Sequence, residues 1–191
     1  MSERNTVLRS MHDLGLAAWF GGSLMGAVGL NSAAGAEGGT WRNTARIASV
    51  GWARWTPVNA AAIAVHLVGS TGLLGANATR VATQKGVAAS TIAKTVLTGA
   101  ALAATAYSRV LGKKIELASS DDPADFDRAA KHPIDADKAQ HDLALVQWVL
   151  PALTGGLIVL NALHGEQQGP AQQLQGMLRR AGSMTPWSAM H

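Results

Sequence analysis

The stretch WTPVNAAAIAVHLVGSTGLLGANAT, residues 55–79, decides the fold because its 25 residues contain no Asp, Glu, Lys or Arg. About 20 mainly apolar residues in a helix are enough to cross the hydrocarbon core of a bilayer. The stretch therefore predicts a membrane-spanning helix over residues 56–78. Pro57 lies near the start of this span, where a helix tolerates proline.

Two more stretches of similar length lie on either side of this one. Asp13 and Asp142 are each followed by 23 residues without a charged side chain. They predict spans over residues 14–30 and 143–163. Pro151 inside the latter span is tolerated in lipid when neighbouring helices satisfy the freed carbonyl. Charged residues make up only 15% of the chain, against about 25% in soluble globular proteins.

A further span is predicted over residues 88–111, third in chain order, although it contains Lys94 and Arg109. Both side chains are long enough to bring their charges to the lipid headgroups. Without this span, three spans and a surface helix would be left. The segment 113–140 is rich in acidic residues and contains two prolines, which predicts a solvated loop. The sequence thus predicts an all-α polytopic membrane protein, a four-helix transmembrane bundle with a charged loop between helices 3 and 4.

The chain divides into a transmembrane domain, residues 1–165, and a polar tail, residues 166–191, which we expect to be partly disordered. An alternative interpretation concerns the N-terminus. Arg4, the apolar run that follows and Ala34-Gly35-Ala36 also fit a secretory signal with its cleavage site. We favour a retained helix because its opening motif returns in the last span.

Composition excludes several classes of site. The chain has no cysteine, and therefore no disulfide and no thiolate metal site. Its net charge of +4 is not gathered into a basic face alternating with aromatic residues, so we expect no nucleic acid partner. Positive loops beside a membrane explain the excess charge. No phosphate-binding loop, nucleophile elbow or H-E-x-x-H zinc motif occurs, so we expect no metal site and no enzyme.

Each predicted span carries one stripe of polar or small residues, since positions at helical spacing share a face. In lipid such stripes face neighbouring helices, where small residues allow close approach and polar ones bond across. The alternative is that they line a binding site inside the bundle. The four stripes are His12, Trp19, Ser23 and Gly26; Asn59, His66, Ser70 and Asn77; Lys94, Thr98, Ala101, Thr105 and Ser108; and His141, Trp148, Ala152 and Gly155.

His66 is the first candidate for a binding residue, because an ionisable side chain near the middle of a span is a functional hypothesis by default. A neutral imidazole is a haem ligand. His12 and His141 are predicted to lie at opposite membrane faces, so a haem held by two histidines is not clearly supported. The structural alternative for His66 is a neutral ring hydrogen-bonded to a Ser, Asn or carbonyl of the next helix.

Lys94 is the second candidate. Its ammonium group can pair with a quinone oxygen, a lipid phosphate or an Asp, and the alternative is a lysine that only reaches the headgroups. The predicted cofactor-binding residues are therefore His66, Lys94, Asn59 and Ser70. Haem and quinone are the possible cofactors, and no motif requires either of them.

The motif His-Asp-Leu-x-Leu-x-x-Trp occurs twice, at the starts of the first and fourth spans. With four spans these two helices run antiparallel, which places the copies at opposite faces of the membrane. An Asp at a helix start suits the positive end of the helix dipole. We interpret the copies as matched anchors that pack the bundle. They comprise His12, Asp13 and Trp19 in the first copy, and His141, Asp142 and Trp148 in the second.

The stretch HDLGLAAWFGG, residues 12–22, resembles the first helix of copper-resistance D-type and related small membrane families. Over residues 10–165, the segments WARWTPVNAAAIAVHLVGSTGLLGAN, TGAALAATAYSRVLGKKIE and LVQWVLPALTGGLIVLNA resemble uncharacterised actinobacterial integral membrane proteins with four helices. The resemblance implies a four-helix membrane fold, and it implies no activity.

We expect a multi-pass protein of the cell membrane that acts as an accessory, assembly or scaffold subunit of a membrane complex. The expected partners are the lipid bilayer and other membrane protein subunits, and the chain could also form an oligomer. Two alternatives stay open. One is a redox module that binds haem or quinone at His66 and Lys94, and the other is a small carrier or channel that uses the polar stripes of the second and third spans.

Overall fold

Nearly all described residues are helical in a computed structural model, which describes residues 5–83, 85–131 and 135–167 and contains no strand among them. The predicted polar tail lies outside the described residues beyond position 167. The helices are α1 (Thr6–Met25), continued by a π-helical segment (Gly26–Leu30) and α2 (Asn31–Gly38), then α3 (Trp41–Ala76), α4 (Ala78–Thr83), α5 (Lys85–Ser119), α6 (Pro123–Lys131) and α7 (Ala136–Gln167).

Four helical segments are long and apolar enough to cross a membrane. This confirms the predicted all-α fold with four spans, including the third span that carries Lys94. The helices exceed the predicted spans: α3 has 36 residues, about 54 Å at 1.5 Å per residue, against a hydrocarbon core of about 30 Å. Pro57 consequently lies inside α3 rather than near its start. The segments are Thr6–Gly38, Trp41–Ala76, Val87–Ser119 and Ala136–Leu163.

A tight turn after α2 sends the chain back antiparallel as α3. Gly39 has a φ of 66°, a left-handed conformation that glycine adopts without a steric penalty. Thr40 is the N-cap of α3, since its Oγ1 accepts a hydrogen bond from the backbone N–H of Asn43 at 3.4 Å. The Gly-Thr sequence therefore ends one helix and begins the next.

The charged segment between the third and fourth spans is mostly helical, so the prediction of a loop was wrong for most of it. Asp122 accepts a hydrogen bond from the backbone N–H of Ala124 at 2.9 Å, and Pro123 occupies the first position of α6. Asp135 accepts one from the N–H of Lys138 at 2.8 Å at the start of α7. The acidic residues and the proline that suggest a loop therefore act here as helix-start signals.

α1 and α3 approach each other at the level of the backbone. A Cβ added to Gly15 would lie 2.5 Å from the carbonyl oxygen of Ala62 and 2.5 Å from the backbone nitrogen of His66. Gly69 of α3 lies in the same way against the backbone of His12. Small residues allow helices in lipid this close approach. The contact fixes the height of α3 against α1.

Two indole rings of α3 lie on glycines of α1 further along the same interface. Trp55 covers Gly22 and Trp52 covers Gly26, and a side chain on either glycine would overlap the ring. The Gly22-x-x-x-Gly26 pair therefore faces a neighbouring helix, as its spacing predicts. Each of these two glycines contacts an indole ring of α3 rather than its backbone.

α1 lies between α3 and α7, and α7 packs in turn on α5, whereas α3 and α5 contact each other much less. A cleft therefore runs along the α3–α5 side of the bundle. We call the end where α1 begins the proximal end and the end where α3 begins the distal end. A cluster of residues no more than 2% exposed lies across the middle of the bundle. We call it the belt, and it consists of Leu16, Trp19, Ala101 and Leu157.

Candidate functional site

Two chambers lie along the cleft between α3 and α5, and the belt lies between them. The distal chamber has a volume of about 500 Å³ and the proximal one about 550 Å³. Trp19 of the belt lines the distal chamber, and Leu157 lines the proximal one. Both volumes fall in the range of sites for small molecules, about 300–1,000 Å³.

The distal chamber, which we call the tryptophan chamber, is lined by four of the five tryptophans that the structure describes. Arg109 and Glu116 are the charged residues among its described lining, and the other polar groups are amides and hydroxyls. Large indole faces with a few uncharged polar groups suit a flat, mainly apolar ligand. The four tryptophans are Trp19, Trp41, Trp52 and Trp55.

A network of amides fixes one wall of the tryptophan chamber. Asn31 Nδ2 donates a hydrogen bond to Gln147 Oε1 at 2.7 Å, and Trp52 Nε1 donates one to Asn31 Oδ1 at 3.0 Å. Three helices, α2, α3 and α7, are joined in this way. Trp19 Nε1 likewise donates to Thr105 Oγ1 of α5 at 3.2 Å. These bonds hold two of the indole rings in place without a ligand.

Asn59 is the exception among the amides of this chamber. Its Oδ1 is buried and has no hydrogen-bond partner in the part of the chain that the structure describes. A buried acceptor left without a partner costs about 1–3 kcal/mol, so native proteins rarely leave one unpaired. Asn59 lines the tryptophan chamber. A ligand with a hydrogen-bond donor in this chamber would satisfy the atom if the Asn59 side chain turned its Oδ1 towards the cavity.

His66 is enclosed at the level of the belt and lines neither chamber. It is 1% exposed, and its Nδ1 donates a hydrogen bond to the backbone oxygen of His12 at 3.0 Å. Its Nε2 lies 3.5 Å from Ser70 Oγ, and its ring centroid lies 4.5 Å from that of His12 and 6.1 Å from that of Trp19. The His66 ring is thus hydrogen-bonded to a backbone carbonyl of the neighbouring helix, as expected for a structural rather than a ligand-binding histidine. A haem does not fit on a ring enclosed on these sides.

The proximal chamber, which we call the lysine chamber, is lined by Lys94 of α5 together with Arg9, His12 and Asp13 of α1. Lys94 is half-buried and makes no hydrogen bond or ion pair with another described residue. Asp13 Oδ1 lies 2.8 Å from His12 Nδ1, so the carboxylate is already engaged. The ammonium group therefore lies in the chamber without a direct ion pair among the described residues.

The predicted binding residues do not form one site. Asn59 lines the tryptophan chamber, Ser70 and Lys94 line the lysine chamber, and His66 lies between the two. Helical spacing identifies the face that residues share, but not their separation along the axis. Asn59 and Ser70 are 11 residues apart, about 16 Å along α3. One ligand in contact with both Asn59 and Lys94 would therefore have to extend from one chamber to the other.

Three of the four predicted stripes face the interior, and that of α7 does so only at Gly155, where an added Cβ would lie 3.2 Å from the Phe20 ring. Trp148 is 53% exposed, and His141 and Ala152 are also exposed. The prediction that Trp148 packs inside the bundle was wrong. α7 is apolar on all sides, so its hydrophobic pattern does not indicate a face. The interior face of α7 carries Leu143, Gln147, Leu150, Thr154 and Leu157.

The two copies of the His-Asp motif lie at opposite ends and in different surroundings. Asp13 is bonded to its neighbour His12 in the lysine chamber. Asp142 at the distal end accepts hydrogen bonds from Tyr107 Oη at 2.8 Å and from Lys138 Nζ at 3.1 Å. Within residues 5–83, 85–131 and 135–167, no group of three or more His, Asp or Glu side chains is arranged to hold a metal ion.

Asn31 and Gln147 are functional candidates that the sequence analysis missed. Each is an isolated amide in or beside an apolar span, which in lipid marks an interhelical contact. Gln147 also falls at heptad spacing with Leu143, Leu150 and Thr154. That 3-4 spacing was the available signal for the interior face of α7.

Comparison with protein-family models, curated proteins and solved structures finds no match in any of the three. Function must therefore be inferred from the two chambers themselves.

Proposed function

We propose that this protein is a membrane-embedded binding protein without catalytic activity, which holds a small, uncharged, largely apolar molecule in the tryptophan chamber. The observation that carries this proposal is a cavity of about 500 Å³ walled by indole rings, whose lining includes Asn59 with its unpartnered Oδ1. The ligand supplies the missing hydrogen-bond donor and fills the apolar volume. We also propose that the protein lies in the cell membrane. The four spans support a location in a membrane but do not identify which one.

The chemistry of the chamber favours a ligand of the hydroquinone class. A hydroquinone is flat and uncharged, and its hydroxyl group can donate to Asn59 Oδ1 while its ring stacks on an indole face. Its apolar tail can leave through the cleft between α3 and α5 into the bilayer. The quinone alternative predicted from the sequence is therefore kept, but at this chamber rather than at His66 and Lys94.

Asn59→Leu is expected to weaken binding of a short-chain hydroquinone about tenfold or more, because one hydrogen bond of the ligand is lost. The same substitution removes an unpaired acceptor, so the unliganded protein should be equally stable or more stable. Titration of the full chain in nanodiscs, followed by tryptophan fluorescence, measures the first effect. Unfolding of the unliganded variants in detergent measures the second.

Two glycines of α5 provide matched controls, since a Cβ added to either would meet no other atom within 4 Å. Gly112→Leu places a side chain in the tryptophan chamber and should abolish binding. Gly99→Leu places the same side chain in the lysine chamber and should leave it unchanged. Equal affinity of the Gly112 variant and the wild type, or destabilisation by Asn59→Leu, would contradict the proposal.

The accessory-subunit role stays a second proposal, and the cleft is the observation that favours it. Polar groups within a bilayer must be shielded from lipid by protein, water or a ligand. Because α3 and α5 make few contacts, no helix shields the two chambers on the side between them in the described part of the chain. A helix of a larger complex would supply such shielding. Co-purification with such a complex after mild solubilisation supports this role, and a strictly solitary protein counts against it.

The carrier or channel alternative also stays a prediction. A chamber at each end of the bundle is an arrangement that a carrier uses. The belt between the chambers is closed, however, with side chains no more than 2% exposed. Passage would require α1, α5 and α7, which carry the belt, to move apart at that level.

A further inference from the structure

The lysine chamber holds a positive charge that the described part of the chain does not balance. Arg9 and Lys94 contribute two cations, and Asp13 is the one carboxylate among the described lining residues. Asp13 is itself bonded to His12 at 2.8 Å. An unpaired charge on a membrane-spanning helix is costly and usually has a partner. The chamber therefore attracts an anion.

Towards the belt the same chamber is lined by three leucines, Leu67, Leu102 and Leu157. Leu102 lies eight residues beyond Lys94 on α5, about 12 Å further along the helix axis. The ligand that matches this chamber has an anionic group at one end and a hydrocarbon segment at the other. Four further apolar residues line the chamber near the proximal end, away from the belt: Leu73, Leu74, Val81 and Val87.

We propose that the lysine chamber binds an anionic membrane lipid, with its phosphate beside Lys94 and Arg9 and one acyl chain directed towards the belt. Lys is a common partner of phosphate. Because α3 and α5 meet so little, the second acyl chain can stay in the bilayer through the cleft. A zwitterionic lipid brings its own cation and gains less from the two basic residues. This site is separate from the tryptophan chamber and does not depend on the ligand proposed there.

Native mass spectrometry of the full chain in a mild detergent tests the proposal with phosphatidylglycerol and phosphatidylcholine as probes. Phosphatidylglycerol should be retained about tenfold more strongly, and Lys94→Gln should remove most of that preference. Lys114→Gln is the matched control, because Lys114 is an exposed lysine towards the distal end of the same helix. It should leave the preference intact.

A second pair of variants decides the matter if Lys94→Gln fails to fold. Gly99→Leu places a side chain in the lysine chamber and should displace the lipid, whereas Gly112→Leu places one in the tryptophan chamber and should not. Equal retention of the two lipids would overturn the proposal, as would retention that neither Lys94→Gln nor Gly99→Leu reduces. Inorganic phosphate that binds as tightly as phosphatidylglycerol would also overturn it, since the site would then be one for a free anion.

Discussion

Replacement of Trp19 by alanine is expected to lower the free energy of unfolding by about 3–5 kcal/mol, the loss typical of a large aromatic residue removed from a well-packed core. Trp19 is 0% exposed and forms part of the belt with Leu16, Ala101 and Leu157. Its indole also donates a hydrogen bond to Thr105 Oγ1 of α5. Alanine would leave a cavity where α1, α5 and α7 meet. Unfolding in mixed micelles with increasing SDS, followed by circular dichroism, measures the change.

Trp148 provides the matched control, because it occupies the same position in the second copy of the motif. It is 53% exposed on the outer side of α7, so Trp148→Ala should change the free energy of unfolding by only about 0.5 kcal/mol. Brominated lipids give an independent readout. The emission of each tryptophan is the part of the fluorescence that its Phe variant loses. Brominated lipids should quench the emission of Trp148 and leave that of Trp19 unchanged. Equal destabilisation by the two alanine variants would show that the motif packs the bundle at both ends.

The four spans could be predicted because a single physical requirement determines them. A helix in hydrocarbon cannot carry many unpaired charges, so residues 55–79 and the two other charge-free stretches show the spans directly. The ends of the helices are less constrained. Beyond the hydrocarbon a helix tolerates charged residues, and local caps such as Asp122 and Asp135 decide where it starts. The helices therefore extend beyond the predicted spans, and the segment predicted as a loop is mostly helical.

The interior face of a helix could be predicted only where its residues differ in polarity. Lys94, Thr98 and Thr105 mark one side of α5, and the structure places them along the chambers. On α7 the repeated motif suggested the side of Trp148, whereas the interior side carries Gln147. Because a tryptophan side chain is accommodated in lipid as well as in a protein core, Trp148 did not indicate which face of α7 points into the bundle.

The candidate site shows a limit of a different kind. Asn59 and His66 share a face of α3, as their spacing predicts, but they lie at different depths, and Asn59 lines the tryptophan chamber whereas His66 lines neither chamber. The depth at which two helices meet depends on contacts such as that of Gly15 with Ala62. Those contacts join residues far apart in the chain, and a single sequence does not reveal them. The separation of the predicted residues into two chambers could therefore be seen only in three dimensions.

Gly15→Ala is expected to lower the free energy of unfolding by about 2–3 kcal/mol, although alanine normally favours a helix over glycine. The added Cβ would lie 2.5 Å from both the Ala62 oxygen and the His66 nitrogen, and these are backbone atoms that no rotamer change can move. α1 and α3 must separate, and the hydrogen bond from His66 Nδ1 to the backbone oxygen of His12 lengthens as they do. Unfolding of the variant in mixed micelles measures the loss.

Gly21 is the control on the same helix, because a Cβ there meets nothing within 4 Å. Gly21→Ala should be neutral or stabilise the protein by up to about 1 kcal/mol. Gly69→Ala, on the other side of the same contact, should be as harmful as Gly15→Ala. The two losses should not add in the double variant, since either one alone already forces α1 and α3 apart. Additive losses would mean that the glycines act at independent places, and a harmless Gly15→Ala would rule out the close approach of these two helices.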